Sequence, residues 1–190
     1  YQDHREESPR DLPDRPDFFT KGPNTLAGHR DAIPIPENKQ IDFEGEFAVI
    51  IDEQCRNVPE DDAMDVVRGF TCANDLSNRD DQAEEQNWLR GKGFDHSLPV
   101  GPVMATPDEV PTDATLELRV NDETRQRTNR ELLIFSVAEL IAEVTELVTL
   151  EPGDLLVTGT PEGPGPVSPG DKIEIEFEGV GALCHTITSE

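Results

Sequence analysis

Apolar positions recur along this chain with two periods. Phe47-Ala48-Val49-Ile50-Ile51 is the longest unbroken apolar run, and residues 46–52 around it predict a buried strand. Leu116, Leu118 and Val120 alternate with Glu117 and Arg119, and Asn121-Asp122 offers a turn into residues 124–127. That is the pattern of a hairpin with alternating sides. Ile173, Ile175 and Phe177 alternate in the same way with Glu174, Glu176 and Glu178, which predicts a strand with one wet face. Residues 71–76 and 154–158 read as further short strands. The helical period is found twice. Residues 136–147 carry a capping box, Ser136 with Glu139, ahead of an apolar stripe of Val137, Leu140, Ile141, Val144, Leu147 and Val148. Residues 59–70 place Pro59 near a first turn, acids Glu60, Asp61 and Asp62 at the positive end, and Ala63, Val66, Val67 and Phe70 on one face. Residues 1–40 are interrupted by Pro9, Pro13, Pro16, Pro23, Pro34 and Pro36 and predict irregular chain. The expected class is α+β and β-rich. Strands do not alternate regularly with helices, which argues against a doubly wound sheet.

Composition narrows the function. The 190 residues hold 41 acidic side chains against 16 basic ones, a formal charge of −25. Such a surface repels phosphate backbones, so no nucleic-acid partner is expected. No apolar run approaches the ~18–20 residues of a membrane span, so no membrane partner is expected either. The charge is interleaved with periodic apolar residues, which argues for a folded chain over a disordered one. An acid-rich surface with only four lysines, Lys21, Lys39, Lys92 and Lys172, fits a cytoplasmic protein adapted to concentrated salt, as in halophiles, where self-repulsion is screened. Cys55, Cys72 and Cys184 are odd in number and lack CxxC spacing, against both a disulfide framework and a zinc knuckle. The chain begins at Tyr1 rather than Met, and the expectation is that further N-terminal sequence precedes it.

Several residues carry candidate chemistry. Glu44 and Glu46 stand two apart at the start of a strand, so both carboxylates leave the same face, with Gly45 baring the other. Two such anions suit a hard divalent cation; a solvated face in so acidic a protein is the plainer reading. Asp75 ends an otherwise apolar segment, where an unpaired carboxylate is expensive, and Arg79 and Gln82 follow at spacings that a turn aims back toward it; a local Asp–Arg pair is the plainer alternative. Lys92 sits among Trp88, Leu89 and Phe94, placed either to stabilise an oxyanion or substrate carboxylate or simply to snorkel. His4 and Glu7 are three apart, the spacing of a water-activating dyad or of an exposed histidine. His29, His96 and His185 are assigned structural roles. Thr158-Gly159-Thr160-Pro161-Glu162-Gly163 ends a strand in a glycine-rich turn, a ligand loop or only a turn.

Taken in order, these pieces resemble the fumarylacetoacetate hydrolase family, in its small single-domain branch close to the acylpyruvate hydrolases. The matching segments are Tyr1-Gln2-Asp3-His4-Arg5-Glu6-Glu7, Asp42-Phe43-Glu44-Gly45-Glu46-Phe47, Ala73-Asn74-Asp75-Leu76-Ser77-Asn78-Arg79-Asp80 and Gly91-Lys92-Gly93-Phe94-Asp95. Ile134-Phe135-Ser136 follows, then Leu150-Glu151-Pro152-Gly153-Asp154 through Thr158-Gly159-Thr160-Pro161. The resemblance implies a mixed β-sandwich roll spanning residues 41–190, and a lid or linker over residues 1–40. It also implies a homodimer and a bound Mg2+ or Mn2+. Glu44, Glu46 and Asp75 would ligate the metal, and His4 and Glu7 would activate water. Arg79, Gln82, Lys92 and Thr160 would hold a small 2-oxo or 1,3-diketo acid, with Lys92 also supporting charge on oxygen. The implied reaction is hydrolysis of a C–C bond in an acylpyruvate. Decarboxylation of a 2-oxo acid of the oxaloacetate type, or isomerisation of a muconate-type diacid, is the alternative on the same site. Gly93 stands where the family commonly has a small hydroxyl residue, and Asn121-Asp122 replaces a tighter Asn-Gly turn.

Overall fold

The computed structural model describes Tyr1 and residues 14–190. Its central strand is the apolar run: β4 (Gly45–Ile51) is paired antiparallel with β5 (Val67–Asn74) on one side and β10 (Leu155–Val157) on the other. β7 (Leu98–Ala105) lies beyond β5, and β1 (Leu26–Ala27) closes that edge in parallel. A second sheet combines β2 (Ala32–Ile35), β13 (Gly181–Ser189), β12 (Lys172–Phe177), β8 (Thr115–Val120) and β9 (Glu123–Asn129), in that spatial order. A third, small sheet sets β3 (Ile41–Phe43) between β11 (Gly165–Pro166) and β6 (Ser77–Asn78). The two large sheets meet through aromatic rings. Phe177 of β12 lies 4.3 Å from Phe47 of β4 and 6.4 Å from Phe70 of β5, centroid to centroid, and Tyr1 lies 6.2 Å from Phe47. The expected strand-rich α+β class is what the chain adopts.

Side-chain alternation explains the second sheet. Ile173, Ile175 and Phe177 are buried inward while Glu174 and Glu176 face out; Leu116, Leu118 and Val120 do the same across the β8 register. On the wet face Arg119 bridges Glu117, Glu174 and Glu176 at 2.8, 2.6 and 3.1 Å. The β8–β9 turn places both Asn121 and Asp122 at positive φ, 51° and 66°, as a two-residue hairpin of this hand requires. The helix predicted for residues 136–147 is α3 (Val137–Leu147), with both halves of the Ser136–Glu139 capping box formed. Its buried stripe runs through Val144 and Thr145 and stops there: Leu147 and Val148 are exposed.

Three expectations need correction. Residues 59–70 do not form one helix. A 3-10 run spans Glu60–Val66, and Val67 through Phe70 already belong to β5. Ladder pairing of Val67, Gly69 and Phe70 with Ile51, Ile50 and Val49 outweighs the local helical pattern. Gly69 is required there, since a Cβ would lie 2.4 Å from the Ala105 carbonyl oxygen. The region before residue 40 is not wholly irregular, because β1 and β2 join the two large sheets. Pro34 is accommodated because β2 is an edge strand. Strands β7 and β13 were not predicted at all. β13 buries Leu183, His185 and Ile187 in alternation, and a histidine in the inward row hides its period.

The three cysteines are free, as expected. His185 is structural: its ring is 3% exposed, and its Nε2 lies 3.0 Å from Asn74 Nδ2. Burial pushes its pKa down from 6.5 to about 4.

Two outcomes follow from the packing. Phe47→Ala, which opens the contact between the two sheets, is expected to cost about 3–5 kcal/mol in urea unfolding; a loss under 1 kcal/mol would displace that ring stack from the core. His185 stays neutral in the folded state between pH 6.5 and about 4 while the unfolded chain protonates. Its contribution is therefore complete above pH 6.5 and is lost as pH falls toward 4. His185→Gln should remove about 2–3 kcal/mol of the stability difference between pH 7 and pH 4.5. Urea curves of both proteins at the two pH values measure it, and equal differences would remove His185 as the cause.

Candidate active site

The small third sheet sets out the acidic residues. β3 ends at Phe43 and β4 begins at Gly45, so Glu44 lies at the junction and Glu46 two residues on, both inward and 7% and 3% exposed. The turn after β5 brings Asp75, 1% exposed, against them; its backbone N–H donates to the Glu44 carbonyl at 2.8 Å. One carboxylate oxygen from each of the three lies within 4.8 Å of the others. Gly45 does not bare an empty face, as its sequence setting suggested. A Cβ there would sit 3.0 Å from Leu118 and 3.3 Å from the Gln126 side chain, because the β8–β9 hairpin packs over it.

Cations surround this cluster. Lys92, on the short helix α2 (Leu89–Lys92) that follows α1 (Arg79–Glu84), is 3% exposed. Its Nζ donates at 2.6 Å to each of Glu44 Oε2, Asp75 Oδ2 and Ser77 Oγ, which uses all three ammonium protons. Lys92 does not snorkel. Burial lowers its pKa, but Glu44 and Asp75 outweigh burial and hold it above the usual lysine range. Arg79 corrects another expectation: it pairs with Asp42 (Nε–Oδ2, 2.8 Å) and Glu44, and donates to Gln82 Oε1, rather than pairing with Asp75. The second cation on Asp75 is Lys21, whose side chain is 5% exposed and whose Nζ is 2.6 Å from Oδ1 and 3.1 Å from the Ser97 carbonyl. Burial pulls the Lys21 pKa down.

The three carboxylates are therefore unequal. Burial raises Glu44, but Lys92 and Arg79 overcome it and hold its pKa below the ordinary range. Glu46 has no ion pair among the described residues and accepts a hydrogen bond from Gly159 N at 2.6 Å. Burial, then Asp75 and Glu44, push its pKa up to about 8. Three hard oxygen donors converging on one point, with Glu46 in no direct ion pair among the described residues, fit a divalent cation. Glu44, Glu46 and Asp75 are the residues that could hold it.

The cluster opens into a cavity of about 440 Å3, also lined by Arg79, Gln82, Lys92 and Thr160. Phe18, Phe19, Trp88, Leu133, Ile134 and Phe135 form much of the remaining wall. Phe19 and Trp88 meet edge to face at 5.6 Å, and the Lys92 ammonium lies 5.1 Å from the Phe19 centroid. Thr160 ends the β10 turn. Its hydroxyl accepts from Gln126 Nε2 at 2.8 Å and lies 3.2 Å from the Gly45 carbonyl. The structure thus brings seven of the nine candidate residues to one cavity. His4 and Glu7 lie outside the described residues. Sequence reading missed Lys21, Asn74 and Gln126. Lys21 carried the same signal as Lys92, a lysine in a chain nearly without them. Asn74, whose Oδ1 accepts the Glu44 N–H, and Gln126, whose Oε1 accepts the Gly45 N–H, are amides with no local signature.

Known proteins share this arrangement of chain. The family model described as fumarylacetoacetate (FAA) hydrolase C-terminal matches residues 1–188. The 2,4-didehydro-3-deoxy-L-rhamnonate hydrolase of a Sphingomonas species is 41% identical over 200 residues, covering 99% of this chain and 70% of that protein. The crystal structure of 5-carboxymethyl-2-hydroxymuconate delta-isomerase from Mycobacterium smegmatis has a TM-score of 0.91 at 36% identity, covering 94% of this chain and 71% of that one. Fumarylpyruvate hydrolase from Pseudomonas aeruginosa, in complex with Mn2+ and pyruvate, has a TM-score of 0.92 at 31% identity, covering all of this chain and 86% of that one. With the match running from Tyr1 through nearly the last residue, and with a fold and an acidic cluster to go with it, the chain belongs to the fumarylacetoacetate hydrolase family.

Proposed function

We propose that this protein is a divalent-metal-dependent hydrolase of the acylpyruvate type, cleaving a C–C bond in a 2,4-dioxo acid. The observation that carries the reading is the convergence of Glu44, Glu46 and Asp75 at one end of a cavity that also presents Arg79, Gln82, Lys92 and Thr160. A cation held by the three carboxylates, Mg2+ or Mn2+, supplies charge stabilisation for oxygen of the 2-oxo acid. A structural relative that carries Mn2+ and pyruvate favours that chemistry. Arg79, Gln82 and Thr160 orient the substrate's carboxylate end, and Lys92 holds positive charge beside the oxygen where negative charge develops. His4, oriented by Glu7, takes a proton from water, and the water oxygen bonds to the distal carbonyl carbon. The bond from that carbon to the central methylene then breaks. Its electron pair stays with the pyruvate portion, which takes up the proton at carbon, and the products are pyruvate and a carboxylic acid. The lid that carries the dyad is the part of the N-terminal segment ahead of β1, since β1 and β2 are built into the two large sheets, and two copies form a homodimer. The acidic coat suits a cytoplasm of high salt, as in a halophile.

A relative named as a muconate delta-isomerase, at a TM-score of 0.91, and another named as a bifunctional isomerase/decarboxylase, 42% identical over 195 residues, favour a second reading on the same site: isomerisation or decarboxylation of a 2-oxo diacid. Product masses separate the three. Hydrolysis yields two acids, decarboxylation releases CO2, and isomerisation leaves mass unchanged.

Glu46→Ala removes one of the three donors, and Mn2+ affinity by calorimetry should fall beyond the roughly 10–100-fold that loss of an outer contact costs. Unchanged affinity would remove Glu46 from the ligand set. His4→Ala should bind Mn2+ as the parent does and lose about 10²–10⁴-fold in hydrolysis rate. Full activity in that variant would eliminate the dyad.

A further inference from the structure

Gln126 joins two parts of this site, and its amide has a single workable orientation. It is 2% exposed on β9, packed against the turn that carries Thr160, which is itself 9% exposed and lines the cavity. Hairpin and turn come so close that a Cβ on Gly163 would lie 2.6 Å from the Arg125 carbonyl oxygen. The oxygen and nitrogen of a side-chain amide are alike in shape, and only their partners tell them apart. Here those partners are backbone groups of fixed polarity. Oε1 accepts the Gly45 N–H at 2.9 Å, and Nε2 donates toward the carbonyls of Pro161 and Glu162 at 3.1 and 3.3 Å. Turned end for end, the amide would set N–H against N–H and oxygen against both carbonyls.

That polarity passes on to Thr160. Nε2 donates to Thr160 Oγ1 at 2.8 Å, so a lone pair of the hydroxyl is taken and its proton is not spent on Gln126. The proton lies toward the Gly45 carbonyl at 3.2 Å, beyond the ~2.5–3.0 Å usual for O–H···O. A carboxylate oxygen entering the cavity is charged and free to come closer, and a charge-assisted hydrogen bond is roughly twice as strong as a neutral one. The same turn is fastened to β4 on its other side, where Gly159 N donates to Glu46 Oε2 at 2.6 Å. Gly159 and Gln126 therefore hold the turn against the strand that bears Glu46, with Gln126 bearing directly on the Thr160 hydroxyl.

We propose that Gln126 is a positioning residue for substrate binding: it anchors the Thr160 turn to β4 and holds the Thr160 hydroxyl so that its proton is given to the carboxylate of a 2-oxo acid. Gln126 acts through Thr160 and does not itself meet the substrate. This rests on the reading that Thr160 orients the substrate's carboxylate end.

Coupling between the two residues in ligand binding tests it. The full chain, saturated with Mn2+, is titrated calorimetrically with pyruvate as the parent, Gln126→Met, Thr160→Val and the double variant. Each single change should weaken pyruvate about tenfold, the cost of one hydrogen bond to a charged group. In the Thr160→Val background Gln126→Met should cost less than about twofold, because the hydroxyl through which it acts is gone. A Gln126 that served the fold alone would cost the same factor in both backgrounds, and that result overturns the proposal. So does parental pyruvate affinity in Gln126→Met while Thr160→Val is weakened, which leaves the role of Thr160 standing. Parental affinity in Thr160→Val removes Thr160 from the reading and the proposal with it. Where Gln126→Met does not fold, the Mg2+-loaded parent decides. Its Gln126 side-chain amide signal in proton–nitrogen NMR should move when pyruvate binds and stay still in Thr160→Val; a signal that ignores pyruvate, or moves equally in both, overturns the proposal. Turnover of an acylpyruvate is read separately: no cleavage with the coupling intact fails the hydrolase reading and leaves Gln126 in its role.

Discussion

Three carboxylates held out of water within 4.8 Å of one another set the condition that the surrounding chain must meet. Left alone, such a cluster would protonate or unfold its own pocket. The chain answers with cations from three separate places: Lys21 before the first strand, Arg79 at the start of α1 and Lys92 at the end of α2. Their reach fixes where α1 and α2 sit relative to β4 and β5. The cluster is thus a fastening between the small sheet and the helical turns beside it, as well as the candidate chemical centre. Breaking one partner of such a buried pair leaves the other charge uncompensated, which costs more than the pair contributes when whole.

Charge is not distributed evenly over the cluster. Glu44 and Asp75 are each paired twice, whereas Glu46 faces the cavity and accepts a hydrogen bond from the Gly159 backbone N–H. That asymmetry separates a purely structural ion-pair network from one with work left to do. A network evolved only to bury charge would have given its third acid a partner too. It also explains why Glu46 is the acid whose pKa is raised, to about 8, while Glu44's is lowered.

Much of the fold was legible because its signals are local. The β4 run, the β8–β9 hairpin and the β12 alternation depend on neighbours one or two residues away, and the Ser136–Glu139 box on a single turn. The failures occurred where a distant partner decides. Val67 to Phe70 carry a helical pattern and become strand because β4 is waiting for them. β7 is broken up by Pro99, Gly101 and Pro102, and β13 hides its alternation behind His185. The same division runs through the site. Glu44 and Glu46 announce themselves by spacing, Lys92 by rarity and by its motif. Lys21, Asn74 and Gln126 find their partners 54, 111 and 81 residues away, and no window of sequence contains both ends.

Gln126 carries a consequence for the order in which the chain can assemble. Its one amide group joins the Gly45 N–H, the Thr160 hydroxyl and the carbonyls of Pro161 and Glu162. Three segments far apart along the chain are therefore closed by one side chain, and loop closure over such distances must be completed before that amide can be satisfied. On a ribosome releasing the chain from its N-terminus, the acidic strand emerges early and its lid of hairpin and turn late. The pocket is then among the last parts of the molecule to acquire its shape, and the nascent protein carries Glu44 and Glu46 uncovered until the final third of the sequence has arrived.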